Sequence, residues 1–296
     1  MHYFCTFAMA RAAGIPDVDA NTIAYASQFV DDSTRYSSEA HRDGGLLFGI
    51  TTAHTLLEAL ARSTSDRVTK LEDQRKVWVP FHFFPGGTGD TFYEKIICVK
   101  DGELVNEMFK NNLSVALAKD YGLELLGISA HVYADTFSHY GFSGMSSLFN
   151  KVAQDSLHEE NTATKGVRST LFHALNVVKD SVFGESAEQA TAALGHGPVA
   201  DLPDRPYAEW SFAYEEECRG RELQSSRKNY QTYLEYCEKI HGYFRQFAES
   251  RYGANCLIPF EEMRVELDKL LRKGKELDER EANWKASGLT AGVADY

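Results

Sequence analysis

Proline is scarce, with seven in 296 residues, too few for a long linker-rich or disordered architecture. The five cysteines (Cys5, Cys98, Cys218, Cys237 and Cys256) are odd in number, widely spaced and form no CxxC pair. That argues against a disulfide framework or a cysteine-ligated zinc site and points to buried or idle thiols in a reducing compartment. No stretch reaches the roughly 18 consecutive apolar residues of a membrane span. The N-terminus also lacks a basic region followed by an apolar run. The chain is therefore expected to be soluble and cytoplasmic as written, without a signal peptide or stable membrane insertion; delivery outside the cell by a route without a cleaved signal stays open. Basic side chains are outnumbered, 31 against 43 acidic ones, for a formal net charge of −12. Such a field repels polyanions unless bound cations reverse it locally.

What is present is an apolar fraction of 43%, enough at this length to bury a sizeable core. Neither an internal repeat nor a low-complexity linker divides it. The expectation is one mostly α-helical bundle over residues 1–296, with its chemistry in 1–200 and a helical C-terminal part from about residue 207. Residues 1–13 read as a helix entered directly at His2. Pro16 and Asp17 open a second, which stops near Asp31 and Asp32. Leu46–Ala61 is predicted as a third, and 62–76 as polar loop. Val77–Pro85, with β-branched and aromatic residues before Gly86 and Gly87, is predicted as extended, and any strands are confined to about 77–100. Glu103–Lys119 is amphipathic. Tyr121–His139 is apolar on nearly all sides and so belongs at the centre of the domain. Helices at 144–157 and 166–183, a Gly/Pro-rich loop at 195–206 and long amphipathic helix from Tyr207 to about Arg280 complete the reading.

His131, Asp135 and His139 stand at i, i+4 and i+8 of the central apolar helix. Each four-residue step advances a helix only about 40° past a full turn, so the three side chains leave from nearly one face. Polar groups there must be satisfied inside the protein, and a divalent metal satisfies all three at once. Imidazole and carboxylate are usual zinc ligands where thiolates are absent. Other candidates are His2 in the first turn, His82 between aromatics and a glycine turn, and His196 between glycines that let the backbone pack closely. Asp31 and Asp32 compete for one role, because neighbours on a helix point about 100° apart. Asp31 is preferred as ligand, with Asp32 supporting or capping. His41, His54, His158, His173 and His241 read as surface or packing residues.

In order, these candidates give His, Asp, His, HxxxD, His, His, and at this point the sequence resembles the zinc-dependent phospholipase C and single-strand nuclease superfamily. The segments HYFCTFAMARAAG, IAYASQFVDD, PFHFFPGG and HVYADTFSHYGFSG also resemble a family of bacterial proteins of unassigned function. The superfamily resemblance implies an all-helical fold, a cluster of two or three Zn2+ ions, and hydrolysis of a phosphoester in a lipid or nucleic acid. It implies ligation by His2, Asp31, His82, His131, Asp135, His139 and His196, with Asp135 bridging two ions. Asp32, Asp201 or Asp204 would orient the attacking water, Asp32 and Asp201 being preferred. The sequence departs from the superfamily in three places. It offers no N-terminal tryptophan, the step from Asp135 to His139 is short, and Ala200 stands where an acid would follow His196 at i+4. Two ions therefore fit more conservatively than three. The competing reading is a non-catalytic, metal-stabilised helical interaction protein.

Overall fold

The computed structural model describes residues 1–34, 37–40, 43–53, 74–160, 194–215, 224–253, 255–274 and 276–296. It is mostly helical, with small antiparallel sheets. Helix α1 is Phe4–Ala12 and α2 is Asp17–Asp32, which starts behind Pro16 with Asp17 and Asp19 against its positive end. Strands β1 (Ser37–Ala40) and β2 (Leu46–Gly49) pair with each other. A π-helical segment covers Gln74–His82. The short α3 (Phe92–Lys95), α4 (Glu103–Ala116) and α5 (Gly122–Ser138) follow. A three-stranded sheet, β3 (His158–Glu160), β4 (Glu209–Ala213) and β5 (Gln224–Lys228), precedes α6 (Asn229–Tyr252), α7 (Phe260–Arg272) and α8 (Leu277–Lys285).

Helix α5 is central because its sequence lets every side buttress a neighbour. All residues from Ser129 to Ser138 are buried, and the helix packs on α2, α4 and α6. Gly127 sets its separation from α2. A Cβ there would stand 2.3 Å from the Ile23 carbonyl oxygen and 2.7 Å from Ala26 Cβ, so only glycine permits this approach. The main core joins apolar residues of α1, α2 and α4–α8. A second buried cluster, including Phe83, Phe142, Trp210 and Phe212, lies against the sheet. Strand β4 supplies it by simple alternation: Trp210 and Phe212 are buried while Glu209, Ser211 and Ala213 are less so.

Several expectations need correction. Leu46–Gly49 is strand rather than the start of a helix, and residues 54–61 of that prediction lie outside the described residues, as does the helix expected at 166–183. The segment expected to be extended from Val77 is instead helical as far as His82. Its wide turn is closed by an i, i+5 bond from Phe83 N to Trp78 O at 2.9 Å, while Pro80, lacking an N–H, donates no bond of its own within the segment. Residues 144–157 hold only the single 3-10 turns Leu148–Asn150 and Gln154–Ser156. Strands are not confined to 77–100, and the stretch from Tyr207 begins as sheet before becoming three helices. There the alternation of Trp210, Phe212 and Tyr214 overrides the helical pattern downstream. Among the described residues no helix is long and apolar enough to cross a membrane.

Candidate metal centre

Five segments deliver the site. His2 precedes α1, Asp31 ends α2, His82 ends the π-helical segment, His131 and Asp135 lie on α5 with His139 just beyond its last residue, and His196 and Asp204 flank a 3-10 turn at Gly197–Val199. Asp135, 3% exposed, is the hub. Its Oδ1 lies 3.3 Å from His2 Nε2, and its Oδ2 lies 3.0 Å from His82 Nδ1, 3.4 Å from His131 Nε2 and 3.5 Å from His139 Nδ1. Asp31 adds a second carboxylate, 3.7 Å from His131 Nε2 and 3.8 Å from His82 Nδ1. Asp204 joins the far side, 2.8 Å from His139 Nε2 and 3.4 Å from His196 Nε2.

The backbone fixes which nitrogen of each ring carries hydrogen. A carbonyl oxygen can only accept, so the ring nitrogen facing it must donate. His82 Nε2 donates to Thr52 O at 2.8 Å, His131 Nδ1 to Ser27 O at 2.9 Å, His139 Nδ1 to His82 O at 2.7 Å and His196 Nδ1 to Ala200 O at 2.6 Å. Four imidazoles thus direct their other nitrogen, a lone pair when the ring is neutral, at a carboxylate. Lone pair against lone pair is repulsive unless a cation lies between, and a ligating histidine ordinarily has this same backbone tether. His2 differs. Its ring stacks on His131 with centroids 3.9 Å apart, while its buried Nδ1 has no hydrogen-bond partner among the described residues. Among the described residues, three groups can geometrically hold a metal ion: His2, His131 and Asp135; Asp31, His82 and His131; and His139, His196 and Asp204.

Without metal, protons must do the balancing. Burial alone would raise the Asp135 pKa, yet the charges of His139 and His131 hold it well below the usual carboxylate range. Burial likewise works against a charged His139, but Asp135 and Asp204 outweigh it and raise its pKa to about 9. At Asp204 burial raises and the His196 and His139 charges lower, with a net depression. For His2 and His196 burial dominates and lowers the pKa. The cluster therefore contains one imidazole that readily carries charge beside two that resist it.

Two residues expected at the chemistry lie apart from these groups. Asp32 is exposed and accepts a hydrogen bond from the Tyr296 hydroxyl. Asp201 is exposed and pairs with Arg205 at 2.7 Å. The reason lies in the turn after His196. Ala200 adopts φ 51°, a conformation unfavourable to a residue with a Cβ, and the chain comes back to His196 at Asp204 instead of Asp201. Asp204 is the acid whose ligand position sequence reasoning missed. At i+8 across an irregular turn, no helical period announces it. Gly195, at φ 54°, brings its backbone so close to Phe83 that a Cβ would meet the ring at 2.4 Å, and His139 stacks on the same ring with centroids 4.8 Å apart. Arg227 was also missed. Its Nη1 and Nη2 donate to the carbonyls of Ser138 and Tyr140, at 3.1 and 2.6 Å, and so fix the backbone on both sides of His139.

No curated protein and no solved structure shows significant similarity to this chain. A family model does match it, over residues 1–294. The chain bearing this histidine–aspartate cluster accordingly belongs to DUF6765, a family of unknown function.

Proposed function

We propose that the protein is a zinc-dependent phosphoester hydrolase, acting on phosphodiesters of a lipid or nucleic acid, with two or three ions gathered around Asp135. The observation that carries this reading is the set of four imidazoles, each tethered by one nitrogen to a backbone carbonyl and facing a carboxylate with the other. Nitrogen and oxygen donors without thiolates suit zinc. His131 has only Nε2 to offer, since Nδ1 is committed to Ser27, so its two groups cannot both be filled through it. One ion near His131 and one between His139, His196 and Asp204 is the arrangement best supported, and a third would need Asp135 to bridge. The ligand order also resembles that of the phospholipase C and single-strand nuclease superfamily, which supports this reading.

Ions held there would supply Lewis acidity to phosphoryl oxygens and to a water. The protein's part is to hold the ligands and keep the cluster accessible. Asp135 is buried, but the side chains of Asp31 and Asp204 are 40% and 46% exposed. Both acids therefore face solvent, where an anionic substrate can arrive, and this favours an open site over one closed by protein on every side. With a net charge of −12, the chain needs such local cations to attract a phosphodiester.

The test combines elemental analysis with assays of the metal-loaded protein on an aryl phosphodiester, single-stranded DNA and phosphatidylcholine. At least one substrate should be hydrolysed. Asp135→Asn should lose bound metal, and His131→Ala should lose more than about 100-fold in rate, beyond the effect of merely disturbing a ligand's support. If the loaded protein holds zinc tightly yet turns over none of the three, the reading becomes a metal-stabilised interaction protein.

A further inference from the structure

The buried cluster against the β3–β4–β5 sheet borders a cavity that the metal centre does not use. Its volume is about 420 Å³, and its lining includes the loop Gly87–Gly89, apolar Ile97 and Val99, the rings of Tyr140 and Tyr214, and Arg227. That size suits a small organic ligand.

Arg227 is the unusual member. It lies opposite Trp210 in the β4–β5 pairing and is 3% exposed. Its guanidinium sits 3.9 Å from the centroid of the Tyr140 ring. Nη1 and Nη2 each donate to a backbone carbonyl, and Nε donates to Ser225 Oγ at 3.2 Å. These bonds use three of the five N–H groups that an arginine carries. Among the described residues no carboxylate is paired with it. Carbonyl dipoles and aromatic faces solvate the cation, but they do not neutralise it, and a buried charge is ordinarily paired.

The lining also selects among anions. Its acid among the described residues, Glu94, already accepts from Thr91 N at 2.8 Å and from Thr91 Oγ1 at 2.7 Å, so it is not the missing counter-ion. Among the described residues of the lining, a dianionic phosphate would meet one cation and be repelled by Glu94. A carboxylate carries a single charge and matches the planar fork of a guanidinium, while the tyrosine rings, Ile97 and Val99 receive an apolar body. We propose that this cavity binds a small monocarboxylate with an apolar body, its carboxylate taking the two remaining N–H groups of Arg227. The proposal does not rest on the metal reading.

Calorimetric titration of the full chain with benzoate and with 3-phenylpropionate, and with inorganic phosphate for comparison, tests it. Saturable one-to-one binding of at least one carboxylate is expected, tighter than any phosphate binding that persists in His131→Ala. Ser225→Asp sets an internal carboxylate beside the Arg227 Nε and should weaken binding at least tenfold without removing the arginine. Should that variant fail to fold, Val99→Trp, which fills the apolar wall, carries the same expectation. His131→Ala should bind as the parent does. Absence of saturable carboxylate binding, phosphate binding that is tighter and persists in His131→Ala, or unchanged affinity in the folded cavity variant would overturn the proposal. So would loss of binding in His131→Ala, which would assign the carboxylate to the metal centre.

Discussion

Asp101 and Asp135 show two solutions to the same problem, a carboxylate drawn in among helices. Asp101 is complete within the protein. Its Oδ1 accepts from Tyr133 Oη at 2.5 Å and from Asn106 Nδ2 at 2.8 Å, and its Oδ2 pairs with Lys239 Nζ at 3.0 Å. Asp135 instead faces ring nitrogens, of which those of His82 and His131 keep a proton for it only if the ring is charged, because their other nitrogens serve backbone carbonyls. The first arrangement explains itself; the second asks for a cation. The difference can be measured through pH. Burial raises the Asp101 pKa, but the hydrogen bonds from Tyr133, Asn106 and Lys239 outweigh it and leave the group below its ordinary value. A depressed carboxyl contributes stability that is present above its unfolded pKa, about 3.9, and lost as pH falls through the folded one. Asp101→Asn lacks that contribution at every pH. Urea unfolding should therefore show the parent ahead of Asp101→Asn at pH 6 and the gap closing toward pH 3; a gap that stays constant would mean that Asp101 titrates alike in the native and the unfolded chain. Asp101→Ala should cost about 2 to 3 kcal/mol at pH 6, since the buried Tyr133 hydroxyl loses its close acceptor.

Helices α2 and α5 carry Asp31, His131 and Asp135, and their contact depends on a residue without a side chain. Gly127 lies against Ile23–Ser27, and one turn further on His131 reaches the Ser27 carbonyl and Asp31. Gly127→Ala should force the helices apart, at a cost of about 1 to 3 kcal/mol typical of overpacking. It should also weaken metal binding, because Ser27 and Asp31 withdraw from His131 together. Chemical unfolding and a zinc titration read the two effects separately. Unchanged zinc affinity in a destabilised variant would show that the helix spacing serves packing alone. The same pair of helices was the most legible part of the chain. The limits of α2 follow from Pro16 and the paired acids at its end, and α5 follows from its continuous apolar run. The π-helical segment was not legible, since Val77, Trp78, Val79 and Phe81 have the composition of a strand and only tertiary packing selects the wide turn. Strand β4 was missed for the opposite reason: three alternating aromatics are a short signal beside the long amphipathic stretch that follows.

At the scale of the whole molecule, the site is assembled from parts with unequal independent support. The seven histidines and aspartates singled out from spacing and residue type come within reach of one another, although they span residues 2 to 196. Asp204 was noticed only as a candidate to orient water, and its place among the ligands was missed because it depends on Ala200 at positive φ. His131 and Asp135 belong to a helix whose packing is apolar and owes nothing to a metal. His196 and Asp204 sit on the segment 194–204, which has a single 3-10 turn, places Val199 and Leu202 in the smaller buried cluster, and is tied to α6 by bonds from Asn229 Nδ2 to Leu202 O at 2.7 Å and from Tyr233 Oη to Pro203 O at 2.9 Å. Removing metal should therefore act unevenly. Without an ion, His139 and His196 are the side chains that hold Asp204 among the described residues, and burial disfavours charge on His196. Chelation is expected to speed amide hydrogen exchange over 194–204 at least tenfold while the α5 and α6 amides keep their protection, the pattern of local rather than global opening. Uniform acceleration across the chain would make the metal a condition of the whole fold, and the site then structural first. No change at 194–204, in protein whose metal loss is verified, would remove His196 and Asp204 from the ligand set and leave a single ion among His2, Asp31, His82, His131 and Asp135.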